Sequence, residues 1–346
     1  MATATITPAQ PKTPKSLRAG EGRRGLLLVA PTLAMLALVI LYPLVRALIL
    51  SVQYDQKLVG GFFQQGGYAG VGNYRHWLLQ QCQTGSGWES CPAGNIGSQF
   101  WGAFGVTVFW TVVSVGIEVI LGLWFATIMN RDFRGRGLVR AAILVPWAIP
   151  TAVTAKLWYF IYAYDGILNH ILGFVGIPPQ LWTSDTWPAR FGVVFADVWK
   201  TTPFMALLIL AGLQLISKDV YEAAEVDGAS RWQIFMRITL PLIKVPLMVA
   251  VLFRVLDVMR IFDLPYIMTG GANGTTSLSI LVVDQIEQGF NSASALSTIV
   301  FIIIALTAFV FVRFLGADVI QKPPGQTRRK WFRRKPDVEA PEGAEA

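Results

Sequence analysis

Residues 26–45 read LLLVAPTLAMLALVILYPLV, and residues 293–312 read ASALSTIVFIIIALTAFVFV. Neither stretch contains a charged residue, and each is as long as the roughly 20 residues that carry a helix across a hydrocarbon layer. Between them lie four more apolar blocks, at about 100–129, 138–164, 191–216 and 242–268, so with the outer blocks at 26–52 and 293–312 the pattern predicts six membrane-spanning helices. Helix is the assignment lipid imposes, because an isolated strand leaves its backbone groups unpaired there. Composition agrees: 53% of the 346 residues are hydrophobic and 14% are charged, with mean hydropathy +0.50, whereas a soluble domain carries about 25% charged residues. The first block is too long for the core of a cleaved leader and is expected to stay as a span.

The net charge of +8 follows topology and does not point to nucleic acid. Basic residues precede the first block (Lys12, Lys15, Arg18, Arg23, Arg24), follow the second (Arg131, Arg134, Arg136, Arg140), lie between the fourth and fifth, and cluster from Lys322 to Lys335. The intervening loops hold few, so the positive-inside rule puts both termini in the cytoplasm and the chain in the inner (plasma) membrane. Residues 1–24 and 321–346, rich in Pro, Gly and charge, read as disordered tails flanking a permease domain at 25–320. Trp331 and Phe332, among basic neighbours, either rest on anionic lipid headgroups or sit in a solvated tail. The external loop at 53–99 is long, Gly-rich and nearly uncharged, suited to docking an external partner. It holds Cys82 and Cys91, which form a disulfide or stay as two free thiols; no spacing suggests a metal site.

Residues 217–241 read SKDVYEAAEVDGASRWQIFMRITLP on the cytoplasmic side. Local chemistry predicts two short helices. Ser217 caps the first, Asp219 suits its positive end, and Asp227-Gly228 supplies a left-handed stop; Ser230 with Gln233 makes a capping box for the second, which ends before Pro241. Glu222 with the small Ala223 and Ala224 gives the first helix a low surface able to enter a cleft.

The pattern Glu222-Ala223-Ala224, three residues, Gly228, nine residues, Ile238-x-Leu240-Pro241 resembles the EAA loop of binding-protein-dependent ABC importer permeases. Gly72-Asn73-Tyr74, Pro146-Trp147-Ala148-Ile149-Pro150 and Met268-Thr269-Gly270-Gly271 resemble the branch that carries maltose, trehalose and glycerol phosphate. Residues 198–205 (VWKTTPFM) and the run from Phe253 to Asp263 look closest to trehalose-importing members. The resemblance implies an all-α, type I importer transmembrane domain whose loop docks into an ATPase through Glu222, Ala223, Ala224, Asp227 and Gly228. It implies as partners a second EAA-bearing permease, two ATPase subunits holding ATP and Mg, an external sugar-binding protein and membrane lipid. No cofactor belongs to this chain, which has no Gly-x-x-x-x-Gly-Lys-Ser/Thr phosphate loop.

Charges inside apolar spans need partners or a cavity. At about 100° per residue, Arg254, Asp257, Val258 and Ile261 share one arc, with Arg260 and Asp263 opposite, and Asp197, Lys200, Thr201 and Phe204 share a face of the fourth span. By resemblance the sugar pathway takes Trp147, Thr151, Asp197, Lys200, Thr201, Arg254, Asp257, Val258 and Ile261. Maltose-type members carry small or neutral residues at several of these positions, so Lys200, Arg254 and Asp257 either touch sugar or form buried ion pairs. Glu118 and Lys156 are expected to pair with each other or to snorkel. An ion-coupled secondary transporter, with Glu118, Asp197 or Asp257 carrying a proton, is the rival reading; an enzyme acting on a lipid-linked sugar finds no acid-base set.

Overall fold

A computed structural model describes residues 18–315 except 60, 61, 65 and 86. The expected tails at 1–17 and 321–346, including Trp331 and Phe332, lie outside the described residues. Residues 18–24 are helical, so the first helix begins inside the stretch expected as tail.

The first span is α1 (Arg18–Leu36), one π turn (Ala37–Leu41) and α2 (Tyr42–Ser51). The π turn stands immediately before Pro43, which has no N–H and crowds the carbonyl four residues back; the wider turn absorbs both. Its apolar residues from Leu26 to Leu41 face outward all round, as a lipid-facing helix should. The next segment corrects the all-helical expectation. It holds β1 (Lys57–Val59) paired antiparallel with β2 (Phe62–Gln64), then α3 (Gly72–Leu78), then β3 (Gln81–Thr84) paired with β4 (Gly87–Ser90). Cys82 and Cys91 are joined by a disulfide.

Two long straight helices form the centre: α4 (Phe100–Asn130) and α8 (Thr186–Leu213), which pack along each other. Trp110 is fully buried between them and its indole N–H donates to the Arg190 carbonyl at 3.1 Å. The third block is not one straight helix. It is α5 (Arg136–Ala148) and α6 (Thr151–Ile161), bent by 91°. Pro150 is the cause: it holds Ile149 extended (φ −75°, ψ 130°) and cannot donate to the turn behind it. A short α7 (Ile167–Gly173) follows.

The cytoplasmic-loop residues form α9 (Lys218–Val226) and α10 (Arg231–Ile234), then a second π turn (Phe235–Thr239) and α11 (Leu240–Leu242). The helical path therefore passes through Pro241 instead of stopping before it, with a π turn ahead of the proline as at Pro43. A 68° bend leads into α12 (Lys244–Val258). The fifth block also breaks, at 259–262, before α13 (Asp263–Thr269). A continuous helix would set the Pro265 ring against the Ile261 carbonyl; in the break that carbonyl accepts the Ser277 hydroxyl at 2.8 Å. The chain closes with α14 (Leu278–Gln288) and α15 (Phe290–Leu315), the latter packed on α2. Among the described residues, four helices are long and apolar enough to cross a membrane, or up to six if each bent pair is one span.

Gly212 lets α12 approach the end of α8: a methyl group there would lie 2.6 Å from Cβ of Pro246, part of a ring that cannot rotate away. Gly116 has nothing within 4 Å of the same position. Gly212→Ala is expected to cost about 1–3 kcal/mol through overpacking, and Gly116→Ala to be neutral or slightly stabilising. Thermal denaturation of the two purified variants in detergent checks the difference; equal midpoints would contradict the packing described.

Candidate functional site

Arg254 on α12 is the centre of the site. Its Nε donates to Oε2 of Glu118 at 2.6 Å and its Nη2 to Oε1 at 2.7 Å, a two-pronged bond to α4. Nη2 also reaches Oδ2 of Asp197 on α8 at 2.8 Å, and Nη1 bonds Asp257 one turn away on α12. Side-chain exposure divides the four groups: 2% for Arg254, 0% for Glu118 and 9% for Asp197, against 65% for Asp257. One guanidinium thus ties three helices together in a dry setting, where a bidentate charged pair is strong and an unpaired charge is expensive. Thr201, whose Oγ1 lies 2.7 Å from Oε1 of Glu118 and 2.6 Å from the Asp197 carbonyl oxygen, shares its proton within the cluster.

Beside this cluster opens a polar cavity of about 350 Å³. Thr151, Asp197, Lys200, Thr201, Arg254, Asp257, Val258 and Ile261 all line it, which are the expected pathway residues with the exception of Trp147. Trp147 lies on α5, its ring stacked on Phe204 with centroids 5.7 Å apart, and does not line the cavity. Lys200 donates to the Ile149 carbonyl at 2.6 Å, so its ammonium is held by the backbone group that the Pro150 break leaves free. Between contact and ion pairing, the geometry is split by residue: Arg254 is bonded within the protein, and Asp257 keeps an open carboxylate edge on the cavity.

Sequence reasoning placed Arg260 and Asp263 on the far side of the helix. They line the same cavity, with Phe262 and Leu264, because the chain turns after Val258 and the 100° periodicity stops there. Pro265 was the signal. Arg260 donates to the Leu256 carbonyl at 3.1 Å. Glu118 pairs with Arg254 and not with Lys156, whose ammonium lies 5.3 Å over the Tyr159 ring; sequence gave no means to choose among distant partners.

The loop joining α8 to α12 forms the stop at Gly228 and the capping box at Ser230 that its residues predict, but not the cap at Ser217 or the end before Pro241. Gly228 is left-handed (φ +76°); its N–H donates to the Glu225 carbonyl and that of Ala229 to the Ala224 carbonyl, both at 3.0 Å, closing α9 in a Schellman motif. Ser230 and Gln233 form both bonds of the capping box. Ser217 makes no side-chain cap. Glu222, Ala223, Asp227 and Gly228 are exposed, whereas Ala224 is buried against its own chain, so the low outer surface belongs to Ala223. Lys218 bonds Asp132 at 3.0 Å, and with Arg136 it holds that exposed carboxyl below the usual range. In the external segment His76 lies near Cys82 and Cys91, but the disulfide removes both sulfurs as thiolate ligands.

The family model described as binding-protein-dependent transport system inner membrane component matches residues 118–322. The trehalose/maltose transport system permease protein of Thermococcus litoralis is 38% identical over 301 residues, covering 86% of this chain and 95% of that protein. The trehalose transport system permease protein of Mycobacterium tuberculosis is 40% identical over 303 residues, covering 87% and 91%. Among solved structures, a bacterial alginate ABC transporter in complex with an alginate pentasaccharide-bound periplasmic protein aligns with TM-score 0.68 at 20% identity, covering 88% of this chain and 96% of that one. The fold is that of a type I ABC importer permease.

Removing Arg254 leaves Glu118 and Asp197 buried without a counter-charge. Arg254→Met is expected to destabilise by about 3–5 kcal/mol, and adding Glu118→Gln to recover part of that loss. Thermal denaturation of the single and double variants measures both; a single variant as stable as wild type would show that the cluster does not hold the helices.

Proposed function

The chain belongs to the inner-membrane components of binding-protein-dependent transport systems, and from that premise we propose that it forms half of the translocation pathway of an ATP-driven importer of trehalose or a related alpha-glucoside. The observation that carries this reading is the cavity beside Arg254. It lies where three spans meet, its volume falls in the range of roughly 300–1,000 Å³ that encloses small ligands, and it is lined by charged and hydroxyl groups. Paired donors and acceptors of this kind suit a polyhydroxylated cargo. Both curated relatives described above are named for trehalose, which supports the choice of sugar.

In this reading each bent helix pair is one span, giving six spans with both termini cytoplasmic, as the basic residues around 131–140, 218–244 and 322–335 favour. The rest of the transporter is a second permease of the same kind, two ATPase subunits that bind ATP and Mg, and an external sugar-binding protein. The exposed residues Glu222, Ala223, Asp227 and Gly228 meet an ATPase, with Ala224 packed beneath them. Because the loop runs directly from α8 into α12, a rigid-body movement of the ATPase is delivered to the two helices that carry Asp197, Lys200, Arg254 and Asp257. Trp147 guards the approach from the α5 side.

Uptake of labelled trehalose by the reconstituted system tests the function. Uptake should require ATP and be unmoved by an imposed proton gradient; the reverse would favour an ion-coupled carrier. Asp257→Ala should lower uptake about tenfold or more while assembly stays intact, as expected when a charge-assisted contact is lost. Gly228→Trp, in an exposed position with open space around it, should cost about 1–2 kcal/mol for its left-handed φ and abolish coupling, read as loss of uptake and of sugar-stimulated ATP hydrolysis in a complex that still assembles. Wild-type uptake in both variants would contradict the assignment.

A further inference from the structure

A second, smaller cavity of about 250 Å³ lies at the other end of α4 from the coupling loop, enclosed by the segment from Tyr54 to Asn95 and the α14–α15 junction. It shares no lining residue with the Arg254 cavity. Helix α4, with 31 residues, spans about 46 Å at 1.5 Å per residue, so the two faces of the protein are well separated.

The walls of this cavity are tied down. Oδ1 of Asp55 accepts the backbone N–H groups of Asn291 at 2.6 Å and Ser292 at 3.1 Å, capping α15 from a distant part of the chain. The Asn291 amide donates to the Tyr54 carbonyl at 2.8 Å, and the fully buried Trp77 donates its indole N–H to the Ser292 carbonyl at 3.0 Å. The disulfide between Cys82 and Cys91 closes the β3–β4 hairpin that brings Gln83 and Trp88 to the wall.

Several polar groups inside lack partners. Gln285 is only 6% exposed and lines the cavity, yet its side-chain amide makes no hydrogen bond among the described residues. The small part of Gln285 that is accessible opens onto the cavity, so its amide is free to pair with whatever occupies it. Asn73 gives its amide protons to the carbonyls of Ser51 at 2.9 Å and Gln53 at 2.8 Å, leaving Oδ1 open as an acceptor. Oδ2 of Asp55 is likewise without a hydrogen bond among the described residues. His76 lies 3.0 Å through Nδ1 from the Gln81 carbonyl, which can only accept, so that nitrogen carries the proton; burial pushes the pKa of the ring down and keeps it neutral. Trp88 supplies an indole whose ring has the Arg75 guanidinium 5.3 Å from its centroid and is packed so near Gly72 that a methyl group there would lie 3.3 Å away.

Among the described residues no lysine or arginine lines this cavity and the carboxylate of Asp55 does, which disfavours an anionic ligand. A hard cation is held mainly by carboxylates, and among the described residues the lining has only that of Asp55, whose Oδ1 already caps α15. We propose that this cavity is a carbohydrate subsite that takes one hexose-sized ring of a neutral sugar, separate from the pathway cavity. The site offers both donors and acceptors for ring hydroxyls and an indole for an apolar sugar face. Its volume is below that of pockets enclosing a drug-sized ligand, roughly 300–1,000 Å³, so the remainder of a disaccharide stays in solvent. The proposal rests on the reading that the cargo is a sugar.

The test is calorimetric titration of the assembled transporter in nanodiscs, without the external binding protein, using trehalose and glucose. Saturable binding is expected; it should persist in Asp257→Ala and weaken about tenfold in Gln285→Leu. Trp88→Leu, which leaves the Asp55 cap and the disulfide in place, should weaken it similarly. Wild-type affinity in both cavity variants, or loss confined to Asp257→Ala, would overturn the proposal. So would the absence of any binding in a preparation that still imports labelled trehalose with its binding protein, a result that leaves the transport function standing. If Gln285→Leu weakens capture of the binding protein and leaves sugar affinity unchanged, the cavity is a docking seat and the subsite is refuted. Failure of the wild-type system to import any sugar would instead fall on the transport reading itself.

Discussion

The guanidinium of Arg254 is the constraint on which the centre of this protein depends. It meets Glu118 of α4, Asp197 of α8 and Asp257 of its own helix, and in an apolar setting none of the buried carboxylates is tolerable without it. The pairing fixes where three spans approach one another. It also leaves an excess of carboxylate: three carboxylates meet one guanidinium, and Asp257 presents one edge to open space. A structural knot and a polar cavity are thus two sides of one arrangement.

Prolines put the other cavity groups in place. Pro150 breaks the third span and frees the Ile149 carbonyl that anchors Lys200. Pro265 breaks the fifth span and turns Arg260 and Asp263 toward the cavity that Arg254 and Asp257 already line. Pro43 and Pro241 are accommodated instead by π turns, which keep the helical path running. The second of these lies in the connection between the coupling loop and α12, so that connection is helical for most of its length and suited to transmit displacement. Gly212 lets α12 sit against α8 just beyond the loop, which brings the two helices leaving the loop into direct contact.

Much of this was legible in the residues. Apolar block lengths located the long helices and the bent pairs, and the caps of the loop at Gly228 and Ser230 formed as local chemistry dictates, since each depends on partners within a few positions. The pathway residues converged on one cavity because the residues on α8 and α12 face the same neighbour. What was not legible involved distance or interruption. Glu118 is 136 positions from Arg254, and no periodicity identifies such a partner. Helical periodicity misplaced Arg260 and Asp263 because it was carried through a break that Pro265 imposes. Trp147 lies within the Pro146–Pro150 segment and Thr151 directly after it, yet the bend between them separates their surroundings. The hairpins at 57–64 and 81–90 escaped notice because strands of three or four residues are too short to show an alternation.

The central claim is that the cavity beside Arg254 carries sugar. The most direct measurement is a structure of the assembled transporter, trapped with trehalose between external capture and release. The account predicts sugar density in contact with Asp257 and Lys200, with Arg254 still bonded to Glu118 and Asp197. Sugar bound along a route that avoids α8 and α12, with the Arg254 cavity empty, would contradict it.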